Sequence, residues 1–284
     1  MSKPYTLLAC LFLLTFPRLE AARIDTLTVR SNAMNKDVQA AVALPAAYDG
    51  KTTLPVLYLL HGFSDTFRAW LTLPPEKGLV GRLADQYGVI IVMPDGGYGS
   101  WYLDSPLDKS SQYETFVARE LVAHVDGKYK TIPRREGRLI TGLSMGGHGA
   151  LYLAARHPEL YVAAGSIAGA VDLSNRGWFN QPIREWFLKL LGDPVQYPQR
   201  YRDHSVLYLT DRFKTGNVKL IIDCGTKDFL FESNKALHAK LLEQGIPHDY
   251  TERPGQHNWA YFSNSLDYHL VFFRKVLAES QVSK

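Results

Sequence analysis

The chain has 284 residues, 46% of them hydrophobic and 12% aromatic, which is ample for a substantial buried core and excludes a disordered chain. Its formal charge of +4 is too mild to argue for a nucleic-acid partner.

The N-terminus reads MSKPYTLLACLFLLTFPRLEAAR. Lys3 precedes an apolar run from Leu7 to Phe16, and a short polar stretch ends at Ala21-Ala22. That layout predicts a secretory signal peptide over residues 1–22, a mature single domain over 23–284, and a secreted or periplasmic destination. The run is too short to serve as a permanent transmembrane anchor. A lipoprotein signal centred on Cys10 is the rival reading, weakened because most of the apolar run follows that cysteine. Removing the leader lowers the charge to +3 and leaves Cys224 as the sole cysteine, so no internal disulfide forms and packing must supply the stability.

After the leader, IDTLTV and VQAAVALP read as short strands. VLYLLHG, YGVIIVMPDGG, GRLITGLS and VKLIIDCG are continuous apolar runs ending in glycine, aspartate or serine, as expected of strands buried on both faces. YVAAGSIAG and HDYTERPG are further strands. The amphipathic stretches SQYETFVARELVAHVDGKY, GHGALYLAARHP and SNKALHAKLLEQG lie between them, and a last helix starts near Phe262. This alternation predicts an α/β fold, a mainly parallel sheet with helices on both faces. The aromatic segment from about Val171 to Asn217 interrupts it and reads as a helical insertion before the strand VKLIIDCG. Ligands of such sheets bind beyond the carboxyl ends of the strands, so the loops there are where chemistry is sought.

One of these loops carries Gly142-Leu143-Ser144-Met145-Gly146, a G-x-S-x-G pattern between a strand and a helix. A tight strand-to-helix turn would hold the Ser144 hydroxyl clear of the backbone, with the Met145 N–H facing a developing oxyanion. The competing reading makes Ser144 a simple helix cap. A serine nucleophile needs a base, which in this architecture follows the last strand. His257, in RPGQHNWAYF, has that position, whereas His148, His157, His238 and His269 look helical, His248 opens a strand and His204 lies in the insertion. For the orienting acid, Asp228 in the loop after VKLIIDCG is preferred over Asp223 inside the strand. The second oxyanion donor is expected from the loop after VLYLL, with Phe63 N–H first and Ser64 N–H as the alternative. Tyr98, Trp101 and Tyr102, in DGGYGSWYLDSP, are rings that could shape the pocket; Trp101 and Tyr102, with Trp259 after the base, are the candidate substrate-contacting ones, with core packing as the plain alternative. No metal-ligand cluster, phosphate-cradling loop or dinucleotide fingerprint occurs, so neither metal nor cofactor is implied.

With LYLLHGFSDTFRAW, GGYGSWYLDSP, TGLSMGGHGALYLAARHPELY, CGTKDFL and GQHNW in this order, the chain resembles the putative-esterase branch of the α/β-hydrolases. That branch includes tributyrin esterases, S-formylglutathione hydrolases, feruloyl and acetylxylan esterases, and mycolyltransferases. The resemblance covers roughly Ile24 to Leu277. It implies an α/β-hydrolase fold and a catalytic set of Ser144, Asp228 and His257, with the Phe63 and Met145 amides as oxyanion hole. It departs from the S-formylglutathione hydrolase pattern at the His61-Gly62 pair and is closer to the tributyrin and carbohydrate esterases. The implied activity is hydrolysis of short-chain or carbohydrate-linked acetyl or feruloyl esters. An acyltransferase using the same acyl-enzyme, and a non-catalytic binding module, are the competing expectations.

Overall fold

The computed structural model describes residues 21–282; all but the last two residues of the expected leader lie outside them. Eight strands form one sheet: β1 (Arg23–Ser31), β2 (Lys36–Leu44), β3 (Val56–Leu60), β4 (Ile90–Pro94), β5 (Arg138–Gly142), β6 (Ala163–Ile167), β7 (Lys219–Gly225) and β8 (Asp249–Arg253). Their order is β1-β2-β4-β3-β5-β6-β7-β8, antiparallel at β1-β2-β4 and parallel from β4 to β8. This is the α/β-hydrolase arrangement expected from the strand and helix alternation.

The strand chemistry explains the layering. In β3 every residue is buried, but alternate side chains enter opposite cores: Val56, Tyr58 and Leu60 one way, Leu57 and Leu59 the other. The helices Leu79–Tyr87 and Trp259–Val282 cover the Leu57 face with Leu79, Leu83, Leu266, Leu270 and Phe273. Residues Tyr113–Lys128, which include a π-helical stretch at Phe116–Leu121, and the helices Met145–Arg156 and Phe231–Glu243 cover the Tyr58 face. At the edge the pattern changes. β1 alternates buried Leu27, Val29 and Ser31 with exposed Thr26, Thr28 and Arg30, because it packs on one side only.

Between β6 and β7 the chain forms the helices Gln181–Leu191, Pro198–Asp203 and Thr210–Gly216, with two 3-10 turns, where the sequence predicts an insertion. Its rings pack inward: Phe187 stacks on Trp101 with centroids 4.6 Å apart and on Phe179 at 4.7 Å. Among the described residues, no helix is long and apolar enough to cross a membrane.

Several histidines are structural. His148 is fully buried and hydrogen-bonds through Nε2 to the His204 carbonyl at 2.8 Å, while His269 Nδ1 meets Thr141 Oγ1 at 2.8 Å. Burial pushes their pKa values down to about 4 and about 3, from an ordinary 6.5. Between these values and 6.5 the unfolded chain binds more protons than the folded one, so their stabilisation is complete above pH 6.5 and lost as the pH falls. Each contributes a slope of up to about 1.4 kcal/mol per pH unit. Urea unfolding from pH 7.5 to 4.5 therefore shows a midpoint that falls steadily below pH 6.5; a flat midpoint would show that the folded protein accommodates the charged imidazoles.

Candidate active site

The β5-to-helix turn is built by backbone crowding. A Cβ at Gly146 would stand 2.5 Å from the Leu60 carbonyl oxygen and 2.6 Å from that of His61, and one at Gly142 would meet the Leu60 and Gly146 oxygens at 2.7 Å. Only glycine fits. Between them Ser144 adopts φ 54° and ψ −115°, a costly conformation for a residue with a Cβ, held by its N–H donating to Ile167 O at 2.9 Å and its carbonyl accepting from His148 N at 3.0 Å.

The hydroxyl makes no helix-capping bond, which removes the capping reading. From Gly137 to Ala155 every residue is buried except Ser144. Its Oγ lies 3.0 Å from His257 Nε2, and His257 Nδ1 lies 2.7 Å from Asp228 Oδ2. A carboxylate only accepts, so Nδ1 carries the proton and Nε2 is free to accept from the serine hydroxyl.

Two zipped loops bring this pair together. Thr226 N donates to Arg253 O at 2.9 Å and Lys227 N to Gly255 O at 2.8 Å, tying the loop after β7 to the loop after β8. The Asp228 side chain is fully buried, and its Oδ1 accepts from Leu230 N at 2.9 Å. Asp223, the alternative acid, is occupied elsewhere: it pairs with Arg253 at 2.6 Å and accepts from Tyr261 and Ser265 inside the core.

Opposite the imidazole, the loop after β3 offers its amides. Ser64 N–H is taken by Tyr98 O at 2.7 Å, whereas the Phe63 and Met145 N–H groups have no partner among the described residues. Of the two alternatives for a second donor, Phe63 is therefore the one whose N–H is free. The loop is held by a buried histidine and tyrosine. Gly96 N donates to His61 Nε2 at 2.8 Å, which leaves His61 Nδ1 to donate to Gly62 O at 2.8 Å, and burial lowers the His61 pKa and keeps the ring neutral. The Tyr102 hydroxyl accepts from His61 N and donates to His61 O, both at 3.1 Å.

This corrects the expectation for two of the candidate rings. Trp101 and Tyr102 are 1% and 0% exposed and have no surface to offer a substrate. Both residues have positive φ, and the Tyr102 ring fills the space that a Cβ at Gly96 or Gly149 would need, each 2.4 Å from it. Trp259 is partly buried, edge-on to Trp70 at 5.1 Å, whose Nε1 donates to Leu60 O at 3.1 Å. It links the His257 loop to the end of β3. Two rings beside the site are well exposed, one of them from the same segment. Phe229, 57% exposed, lies 4.6 Å from the His257 ring, and Tyr98, 52% exposed, stacks on Trp186 at 5.6 Å and contacts Phe63 at 5.1 Å. Tyr98 is among the rings that the sequence names in DGGYGSWYLDSP, whereas the only local signal for Phe229 is its place next to the candidate acid Asp228. A cavity of about 780 Å³ lined by Trp70, Leu71 and the helix Leu79–Tyr87 contains none of the site residues.

The family described as "Putative esterase" matches residues 31–273. The chain belongs to that family. It is accordingly a carboxylic ester hydrolase, as the relatives' names indicate. It is 27% identical over 217 residues to an acetyl esterase of Caldicellulosiruptor saccharolyticus, covering 74% of this chain and 79% of that one. A solved ferulic acid esterase superposes with a TM-score of 0.78 at 27% identity, over 92% of this chain and 100% of its own. The mycolyltransferase Ag85A of Mycobacterium gordonae is 32% identical over 160 residues, which is 53% of this chain and 44% of that protein.

The loop bracing is testable without touching the reacting groups. Tyr102→Phe leaves both backbone groups of His61 without their shared partner, so a loss of about 1–3 kcal/mol in urea unfolding is expected, with a parallel fall in ester turnover. An unchanged midpoint would show that the hydroxyl does not brace the loop.

Proposed function

We propose that the chain works as a serine carboxylesterase through an acyl-enzyme on Ser144. The observation that carries this reading is the unbroken line from Ser144 Oγ through His257 to Asp228, next to two unpartnered amides. Ser144 Oγ attacks the ester carbonyl as its proton passes to His257 Nε2. The oxyanion accepts from Phe63 N–H and Met145 N–H, and Asp228 stabilises the imidazolium. The carbon–oxygen bond to the alcohol breaks as Nε2 returns the proton to the leaving oxygen. Water then attacks the acyl-enzyme, giving its proton to Nε2, and Ser144 leaves with it.

Short-chain or carbohydrate-linked acetyl or feruloyl esters are the proposed substrates, a reading supported by the similarity to an acetyl esterase and a ferulic acid esterase. The alternative, transfer of the acyl group to an alcohol or sugar acceptor, is favoured by the partial match to a mycolyltransferase and uses the same chemistry with a different second nucleophile. We further propose that the leader over residues 1–22 exports a single catalytic domain, residues 23–284, to the periplasm or medium.

The decisive experiment is hydrolysis of p-nitrophenyl esters with acyl chains of two to eight carbons. Ser144→Ala and His257→Ala should each lower kcat by about 10⁴-fold or more, and the double variant should lose little beyond either one, because the two act as a unit. Full turnover by either single variant would overturn the mechanism, and the chain-length profile of the wild type measures the acyl pocket.

A further inference from the structure

We propose that Phe229 is the platform for the alcohol portion of the substrate, and that the preferred esters carry a flat face, a sugar ring or an aryl group, on their alcohol side. The inference rests on the acyl-enzyme reading and adds the identity of the alcohol to it.

Reaction geometry fixes where the alcohol must lie. The tetrahedral carbon bears four groups: Ser144 Oγ, the oxyanion turned to the Phe63 and Met145 amides, the leaving oxygen and the acyl chain. The leaving oxygen has to reach His257 Nε2 to collect its proton. Whatever is attached to that oxygen therefore starts out beside the imidazole.

The surroundings of the imidazole are unequal. Phe262, 3% exposed, meets it edge-on at 4.9 Å from the core side, and Asp228 closes the Nδ1 edge. Phe229 is the third neighbour, tilted 50° to the ring at 4.6 Å and facing solvent. It belongs to neither hydrophobic core, unlike Leu230 next to it, which is 1% exposed. Core packing does not account for an aromatic residue at this point. Its backbone lies in the turn closed by Asp228 N donating to Gly225 O at 3.0 Å, Leu230 N to Asp228 Oδ1 at 2.9 Å and Phe231 N to Asp228 O at 3.1 Å. The loop that carries the ring is thus built by its own hydrogen bonds, and a phenyl ring has only two side-chain torsions to fix when a ligand stacks on it.

Deacylation reverses the geometry. The attacking oxygen must give its proton to the same Nε2, so an acceptor alcohol occupies the place the leaving alcohol left. Phe229 would then favour a flat alcohol over water as second nucleophile.

The test uses acetates that share one acyl group: ethyl acetate, benzyl acetate and a methyl glucoside acetylated on O6. For each, kcat/KM is measured in the wild type, Phe229→Ala, Phe229→Leu and Phe229→Trp, with a fluorophosphonate titration of Ser144 counting intact sites. The ratio of kcat/KM for benzyl or glucosyl acetate over ethyl acetate should fall about fivefold to tenfold in the Ala and Leu variants and recover in Phe229→Trp. Equal losses on all three esters, or a changed preference among acyl chains of ethyl esters instead, would overturn the platform and leave the esterase mechanism standing. Retention of turnover by Ser144→Ala would remove that mechanism and this inference with it.

Discussion

The close approach of three backbone segments at the carbonyl of Leu60 underlies the whole site. That oxygen accepts from Leu143 N at 3.3 Å and from Trp70 Nε1 at 3.1 Å, and it stands where a Cβ on Gly142 or Gly146 would have to go. β3, the Ser144 turn and the helix that follows are thereby pressed together at the end of the central strand pair. The strain at Ser144, of order 1–3 kcal/mol for such a conformation, persists because these contacts over-determine it. Everything else is arranged relative to that point: the Phe63 loop leaves from β3, the Met145 amide begins the helix, and Trp259 reaches the same carbonyl through Trp70.

Neutral histidines serve as struts around it. His61 joins the loop after β3 to the loop after β4, His148 joins the helix behind Ser144 to the insertion, and His269 ties the last helix to β5. In each case a buried imidazole supplies a directional polar bond where an apolar side chain would leave a backbone or hydroxyl group unpaired, and burial keeps it uncharged. His257 differs from these three: its ring is partly exposed and lies between a carboxylate and a hydroxyl.

The central strands were legible because a strand buried on both faces is dominated by apolar residues, as VLYLL and IIVMP are throughout; RLITG also buries Arg138, paired with Asp126, and Thr141, bonded to His269. The Ser144 turn and the position of His257 were legible because an α/β sheet delivers its loops to one edge and chain order limits the choices. Asp228 could be preferred over Asp223 on loop position alone, but the reason Asp223 is unavailable, its burial with Arg253 and Tyr261, depends on the last helix and β8 and has no local signal. Trp101 and Tyr102 were misread for the same kind of reason. They follow a strand end in a glycine-rich loop, where rings often line a pocket. Their burial comes from Gly149 and from Phe187 in the insertion, far along the chain. An exposed ring and a buried one look alike in sequence when the covering element is distant.

That misreading also relocates the specificity of the site. With Trp101 and Tyr102 withdrawn into the scaffold, the exposed rings beside the site are Phe229 on the imidazole side and Tyr98, stacked on Trp186, beyond the Phe63 loop, with Trp259 partly buried between the His257 loop and β3. The proposed chemistry has one proton port, His257 Nε2, which leaving alcohol, water and acceptor alcohol must all use in turn. Hydrolysis and transfer then differ only in which oxygen occupies that port when the acyl-enzyme is open. A water molecule makes no use of an adjacent aromatic face, whereas a flat alcohol does, so on the proposed mechanism the balance between the two outcomes turns on the wall beside the imidazole, since nucleophile, base and oxyanion donors are common to both.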